Sequence, residues 1–220
     1  MRITDVEITV TVIDHSSAQL QVQSIVPRPT KISTEEVIQR IVKLNDGLRK
    51  FWIKSEGWAP LEAAQLLSKS RLDWQVSLSN CLRIWVEEPS LENRDGRLIL
   101  GWAKLGSLVE GTMKLFLSVW YETYKGDEDY VVMRRGELQD PDRLRLDPMR
   151  QYFKKKIWDD TWDKWVQRVQ QKRNAIHAYK DRDIGTYSDL LAGMRKYLEF
   201  LRYINIRLPY PEEMHVPRES

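Results

Sequence analysis

The sequence predicts a mostly α-helical bundle of about five or six helices with a small N-terminal β hairpin. Three observations predict it. Apolar residues recur at helical spacing through most of the chain beyond residue 33, helix-starting signals precede those stretches, and strict alternation is confined to the first 26 residues. At 220 residues and 42% hydrophobic side chains, the chain is long enough to bury a substantial core.

Residues 1–32 form the first unit. Ile3, Val6 or Ile8, Val10 and Val12 alternate with Thr and acidic groups, and 18–26 repeats the habit beyond the turn Asp14-His15-Ser16-Ser17. Such a hairpin must lie on other elements to be stable, and Pro27 and Pro29 stiffen the connector that follows. Residues 33–96 form an N-terminal helical part. Ser33 and Glu36 make a capping box, and Val37, Ile41, Leu44, Leu48 and Phe51 supply a buried stripe. Pro60 suits a first helical position, and Leu78, Cys81, Leu82 and Trp85 continue at helical spacing toward Pro89. A break over 68–73 would divide this segment into two helices.

Residues 97–207 form a second helical part. Ile99, Trp102, Leu105, Val109, Met113, Phe116 and Trp120 hold one face of a long helix, on which Gly101, Gly106 and Gly111 imply close approach by a neighbouring helix or a dimer seam. The span 125–147 reads as a long loop with one short extended piece. Asp147 and Pro148 then open a helix whose stripe is Trp158, Trp162, Trp165, Val169 and Ile176; Asp159, Asp160 and Asp163 lie off it as surface charge. A last helix starts over 186–189 and presents Leu190, Met194, Tyr197, Leu201 and Ile204, and 208–220 reads as a loose tail.

Cys81 is the single cysteine, so no internal disulfide forms and a reducing cytoplasm is expected. The most hydrophobic stretch is interrupted by Lys104, Glu110 and Lys114, so no membrane span is expected, and the N-terminus lacks a basic-then-apolar signal. Charge is unevenly spread: 150–207 carries 14 basic against 7 acidic side chains, and the remainder of the +3 chain is net acidic. A basic half is the electrostatic footprint of a nucleic-acid partner. Phosphate-cradling glycine loops, a dinucleotide fingerprint, HExxH and zinc-spaced Cys/His groups are all missing from the sequence, so neither cofactor nor metal is expected.

The basic half contains one segment rich in chemistry, Lys172-Arg173-Asn174-Ala175-Ile176-His177-Ala178-Tyr179. In a helix, Arg173 and His177 stack on one face with Asn174 beside them and Tyr179 just around it. An imidazole moves protons near neutral pH and a guanidinium neutralises phosphorane charge, a pairing suited to phosphodiester cleavage. Capping of carbonyls at a helix C-terminus is the other role open to these cations.

Arg173-Asn174-x-x-His177-x-Tyr179 resembles the signature of the HEPN superfamily, helical bundles of which many are RNases. The spacer here is three residues, against the usual four to six. Either Arg173 or Lys172 fills the arginine position. The resemblance implies metal-independent RNA cleavage in a bacterial antiviral-defence or toxin–antitoxin setting. His177 acts as general acid or base, Arg173 steadies developing charge and Asn174 orients the pair; Lys172 and Tyr179 line the site. It also implies a homodimer with one composite groove, and a cognate antitoxin such as a nucleotidyltransferase that modifies Tyr179. The alternative is a non-catalytic helical module that docks RNA or a protein partner.

Overall fold

The computed structural model describes residues 32–87, 90–129, 131–177, 179–211 and 216–219. The N-terminal hairpin, with His15 at its turn, lies outside the described residues, as does His215 in the tail. Among the described residues the chain forms eight α-helices: α1 (Thr34–Trp52), α2 (Leu61–Lys69), α3 (Leu72–Asn80), α4 (Arg94–Val119), α5 (Tyr121–Lys125), α6 (Leu146–Lys156), α7 (Asp160–Arg173) and α8 (Tyr187–Asn205).

The helix count exceeds five or six because the division allowed for after Pro60 is found, the helix after Asp147 is also broken, and a short α5 follows α4. The segment after Pro60 divides at Ser70 and Arg71, whose extended and irregular backbone separates α2 from α3. The segment after Asp147 divides at 157–159, where Asp159 takes an extended conformation and caps a new helix by accepting from the amides of Thr161 (2.9 Å) and Trp162 (3.3 Å). Arg145, not Asp147, is the residue before α6. Asp147 sits in the first turn and accepts from Gln151 instead.

Ser33 caps α1 as expected, its hydroxyl accepting from the Glu36 amide. α4 is the axis of the bundle. It packs against α2, α3, α7 and α8, and Leu105, Leu108, Val109 and Met113 are fully buried along it. α1 lies on α3 and α8, and α6 on α7. The three α4 glycines meet three different neighbours. A Cβ on Gly101 would strike Leu190 at 2.5 Å, one on Gly106 the Arg173 stem at 2.5 Å, and one on Gly111 the Gln75 amide at 2.3 Å. Close helix approach is therefore their role inside this one chain.

Gln75 reaches through the Gly111 gap to donate to Leu108 O (2.8 Å), Thr112 Oγ1 (3.2 Å) and Tyr197 Oη (3.1 Å), joining α3, α4 and α8 in one buried polar node. Burial pushes the Tyr197 phenol up to about 12, so it stays neutral and remains able to donate. Asp163, expected on the surface, is buried. It accepts from Arg150 at 2.6 Å, with Lys154 3.4 Å away, and so ties α6 to α7.

The span 125–147 is only partly irregular. Met133–Arg134 pairs antiparallel with Glu137–Leu138 (β1 and β2) across Arg135-Gly136, both of which have positive φ, as a two-residue hairpin turn of the primed kind requires. The end of the chain also departs from a loose tail. Leu208 is buried, Asn205 donates to Pro217 O (3.0 Å), and Glu219 is held by Arg40 (3.2 Å) and Arg202. No helix among the described residues is long and apolar enough to cross a membrane.

Tyr197→Phe removes the hydroxyl that Gln75 and Thr112 share and leaves buried polar groups short of a partner. A loss of about 1–3 kcal/mol is expected in urea unfolding, with no change in far-UV helicity of the folded state.

Candidate functional site

The basic segment lies at the end of α7. This helix ends at Arg173, and Asn174–His177 continue as a tighter 3-10 turn. The consequence for the motif is geometric. At roughly 120° per residue, four steps of 3-10 geometry carry a side chain about a third of a turn round the axis, whereas four α-helical steps nearly superimpose it. Arg173 and His177 are therefore not stacked on one face. Arg173 turns inward, its stem against Gly106 and its guanidinium 2.5 Å from Glu110 Oε2, while Glu110 Oε1 lies 3.1 Å from Lys114. His177 is exposed, as is Ile176, which was expected in the buried stripe.

Asn174 caps α7 by its backbone and is half-buried, and Tyr179 is fully exposed. Among the described residues no hydrogen bond joins the Arg173 and His177 side chains. The structure thus brings Arg173 to the α4 side, leaves Asn174 half-buried at the turn, and leaves His177 and Tyr179 facing outward.

Lys172 takes a third direction. It is only 6% exposed and points across to the start of α8, its ammonium 5.3 Å from the Trp102 ring centroid and 3.6 Å from Asp183 Oδ2. There it meets a groove of about 1320 Å³ between α7 and α8 with Trp102 of α4 beneath. Lys164, Arg168 and Lys172 stand at four-residue steps along one face of α7, so they form a row down one wall. Arg182 and Lys196 add two more cations, against three carboxylates, Asp160, Asp183 and Asp189.

Several of the groove's charges are already paired: Asp160 lies 3.6 Å from Lys154, and Asp183 Oδ1 accepts from the Gly185 amide at 2.7 Å. Asp189 closes the α8 capping box, its Oδ2 accepting from the Thr186 amide (2.7 Å) and hydroxyl (3.0 Å). Those bonds hold its carboxyl below the usual range, with a further push from the nearby Lys172 and Arg168 charges. Lys196 is 2.6 Å from Glu199 and rides 4.6 Å over the Trp162 ring. Trp165 lines the groove and packs edge-on against Trp162 and tilted against Phe200, which fixes its ring. The loop closing the inner end is tethered by Trp102, whose indole donates to Ile184 O at 2.9 Å.

A fixed aromatic beside a row of cations is the chemistry that holds single-stranded nucleic acid. Sequence reading passed over Lys164 and Arg168, although their four-residue spacing to Lys172 is a signal for the row. Its partners across the groove, Arg182 and Lys196, carry no such signal, because they come from separate elements. Among the described residues no group of three His, Cys, Asp or Glu side chains is clustered to hold a metal ion. Comparison with protein-family models, with curated proteins and with solved structures finds no match for this chain.

Glu110 masks the charges of Arg173 and Lys114, so Glu110→Gln is expected to unmask both cations and to raise affinity for a polyanion such as heparin severalfold. The checks are elution salt on a heparin column and a thermal melt, which should fall only slightly because the pair is partly exposed, on the order of 1 kcal/mol.

Proposed function

We propose that this chain is an RNA-binding helical module that holds a single strand along the groove between α7 and α8. The observation that carries the reading is the cation row Lys164, Arg168 and Lys172 facing Arg182 and Lys196, with Trp165 fixed among them. Phosphate contacts supply most of the affinity of such a surface, and a rigid indole offers a base a stacking partner of any sequence. The groove is larger than the roughly 300–1,000 Å³ of a small-molecule pocket, which suits a polymer. The resemblance of the adjacent Arg173-to-Tyr179 motif to HEPN domains directs the choice of polymer to RNA, and the cytoplasm is where such a partner would be met.

Cleavage is the second reading, and the exposed imidazole of His177 at the end of the same helix favours it. In a HEPN-like ribonuclease, His177 takes the proton of a ribose 2′-hydroxyl as its oxygen bonds to phosphorus. The bond to the 5′ oxygen then breaks, and that oxygen takes up a proton. Arg173 steadies the phosphorane charge in this scheme and has to exchange Glu110 for the phosphate, while Asn174 orients the turn. A second protomer would bring its own turn to the first through the exposed Ile176 and Tyr179, making the homodimer of the defence or toxin–antitoxin setting. A nucleotidyltransferase antitoxin would find the Tyr179 hydroxyl fully accessible.

Titration of labelled single-stranded RNA against salt tests the first reading. The logarithm of affinity should fall linearly with the logarithm of salt, and Lys164→Gln and Arg168→Gln should each flatten that slope by about 0.7. A salt-independent affinity, or slopes unmoved by both substitutions, overturns it. Incubation of the same RNA in EDTA tests the second: His177→Ala should lower the cleavage rate by about 10²-fold or more while binding is retained. Equal cleavage by both proteins, or none by either, removes the ribonuclease.

A further inference from the structure

We propose that the inner end of the groove, where Lys172 faces the start of α8, is a seat for a single phosphate group, supplied by the bound RNA strand; the choice of RNA as the source rests on the reading above. Lys172 is 6% exposed and meets solvent only at the groove, and burying so much of a lysine is costly unless something answers the charge at its tip. Among the described residues that charge is answered only by a loose ion pair and a ring face. The nearest carboxylate, Asp183 Oδ2, is 3.6 Å away, too far for a hydrogen bond, and the Asp183 side chain is itself 86% exposed. Among the described residues the Lys172 ammonium donates no hydrogen bond, and it lines the cavity rather than the core. The Trp102 ring at 5.3 Å offers a cation–π contact but takes none of its three protons.

The surroundings are shaped for a small anion. Gly185 has φ +67 and stands so close that a Cβ there would lie 2.2 Å from the Lys172 ammonium and 2.7 Å from Asp189 Oδ2. Only glycine lets the ammonium come this close to the start of α8. Asp189, the other carboxylate in reach, has its Oδ2 committed to the Thr186 amide and hydroxyl. Arg168 one turn along α7 and Arg182 on the loop supply outer cations, and the nineteen-residue α8 directs the positive end of its dipole at the same place. A phosphate oxygen here replaces Asp183 as the partner of a preplaced ammonium. The seat therefore contributes more per charge than the exposed lysine at the outer end of the row.

The test uses the full chain with two probes, a labelled single-stranded RNA and inorganic phosphate. Lys172→Met keeps the aliphatic stem against Trp102 and removes the charge; Arg168→Gln, on an exposed side chain, is the variant least able to disturb folding, and thermal melts accompany both. Lys172→Met should weaken RNA binding roughly tenfold or more, against about two- to threefold for Lys164→Gln, which lies at the open end. Inorganic phosphate should shift tryptophan fluorescence in the wild type, less in Arg168→Gln, and not at all in Lys172→Met. RNA affinity in a folded Lys172→Met protein within twofold of wild type, with phosphate giving the same signal in both, overturns the seat while leaving the groove as an RNA surface. A phosphate signal that depends on Lys172 in a protein that binds no RNA keeps the seat and overturns RNA as its source.

Discussion

The approach of α7 to α4 at Gly106 governs where the cations of the C-terminal half point. With the Arg173 stem filling the space a side chain would need on Gly106, and its guanidinium held by Glu110, the rotation of α7 about its own axis is fixed. Val166 and Val169 then face the core, and Lys164, Arg168 and Lys172 face α8. A turn of α7 by one residue would bury the row or scatter it into solvent. The same contact explains why Arg173 is directed inward: it serves first as a packing and pairing element of the bundle.

Two further fixings convert a row of cations into a groove. The Arg150–Asp163 pair, nearly withdrawn from water, locks α6 to the outer side of α7. The bond from the Trp102 indole to Ile184 O holds the connecting loop down onto α4, so that Asp183, Gly185 and the Thr186 cap arrive at a set distance from Lys172. Behind them, Gln75, Thr112 and Tyr197 join α3, α4 and α8 through hydrogen bonds that a purely apolar seam would lack. A buried node of this kind is satisfied in one relative placement of its helices, which makes the position of α8 specific as well as stable. The site is accordingly a property of the α4, α7 and α8 arrangement and not of any one helix.

Much of the fold was legible from spacing alone. The α1 cap at Ser33, the long α4 stripe from Trp102 to Phe116 and the α8 face from Leu190 to Ile204 all follow from where apolar groups recur, and each is found. What escaped was local and had local causes. The break before Asp159 was missed because the tryptophans at 158, 162 and 165 continue the helical rhythm across it; the Asp159 side chain, by capping two amides, starts a new helix. Asp163 read as surface because its counterion, Arg150, belongs to the helix on the other side of that break. The anchoring of 216–219 depended on two arginines, Arg40 and Arg202, remote from Glu219 in sequence and unmarked by any pattern.

Sequence alone implies a helical protein whose positive charge is concentrated in the last third. Periodicity and composition are local properties, and these statements need nothing more. Only the tertiary structure decided which of the neighbouring residues Lys172, Arg173 and His177 looks into a cavity, which is spent on an ion pair, and which meets solvent. Three near neighbours are sent in three directions because the α-helix tightens into a 3-10 turn after Arg173, and because a gap at Gly106 and a loop glycine at 185 each admit one of the two cations. No pattern within the segment records where α4 and α8 will stand, and it is their placement that separates a bundle's closing contacts from its charged groove.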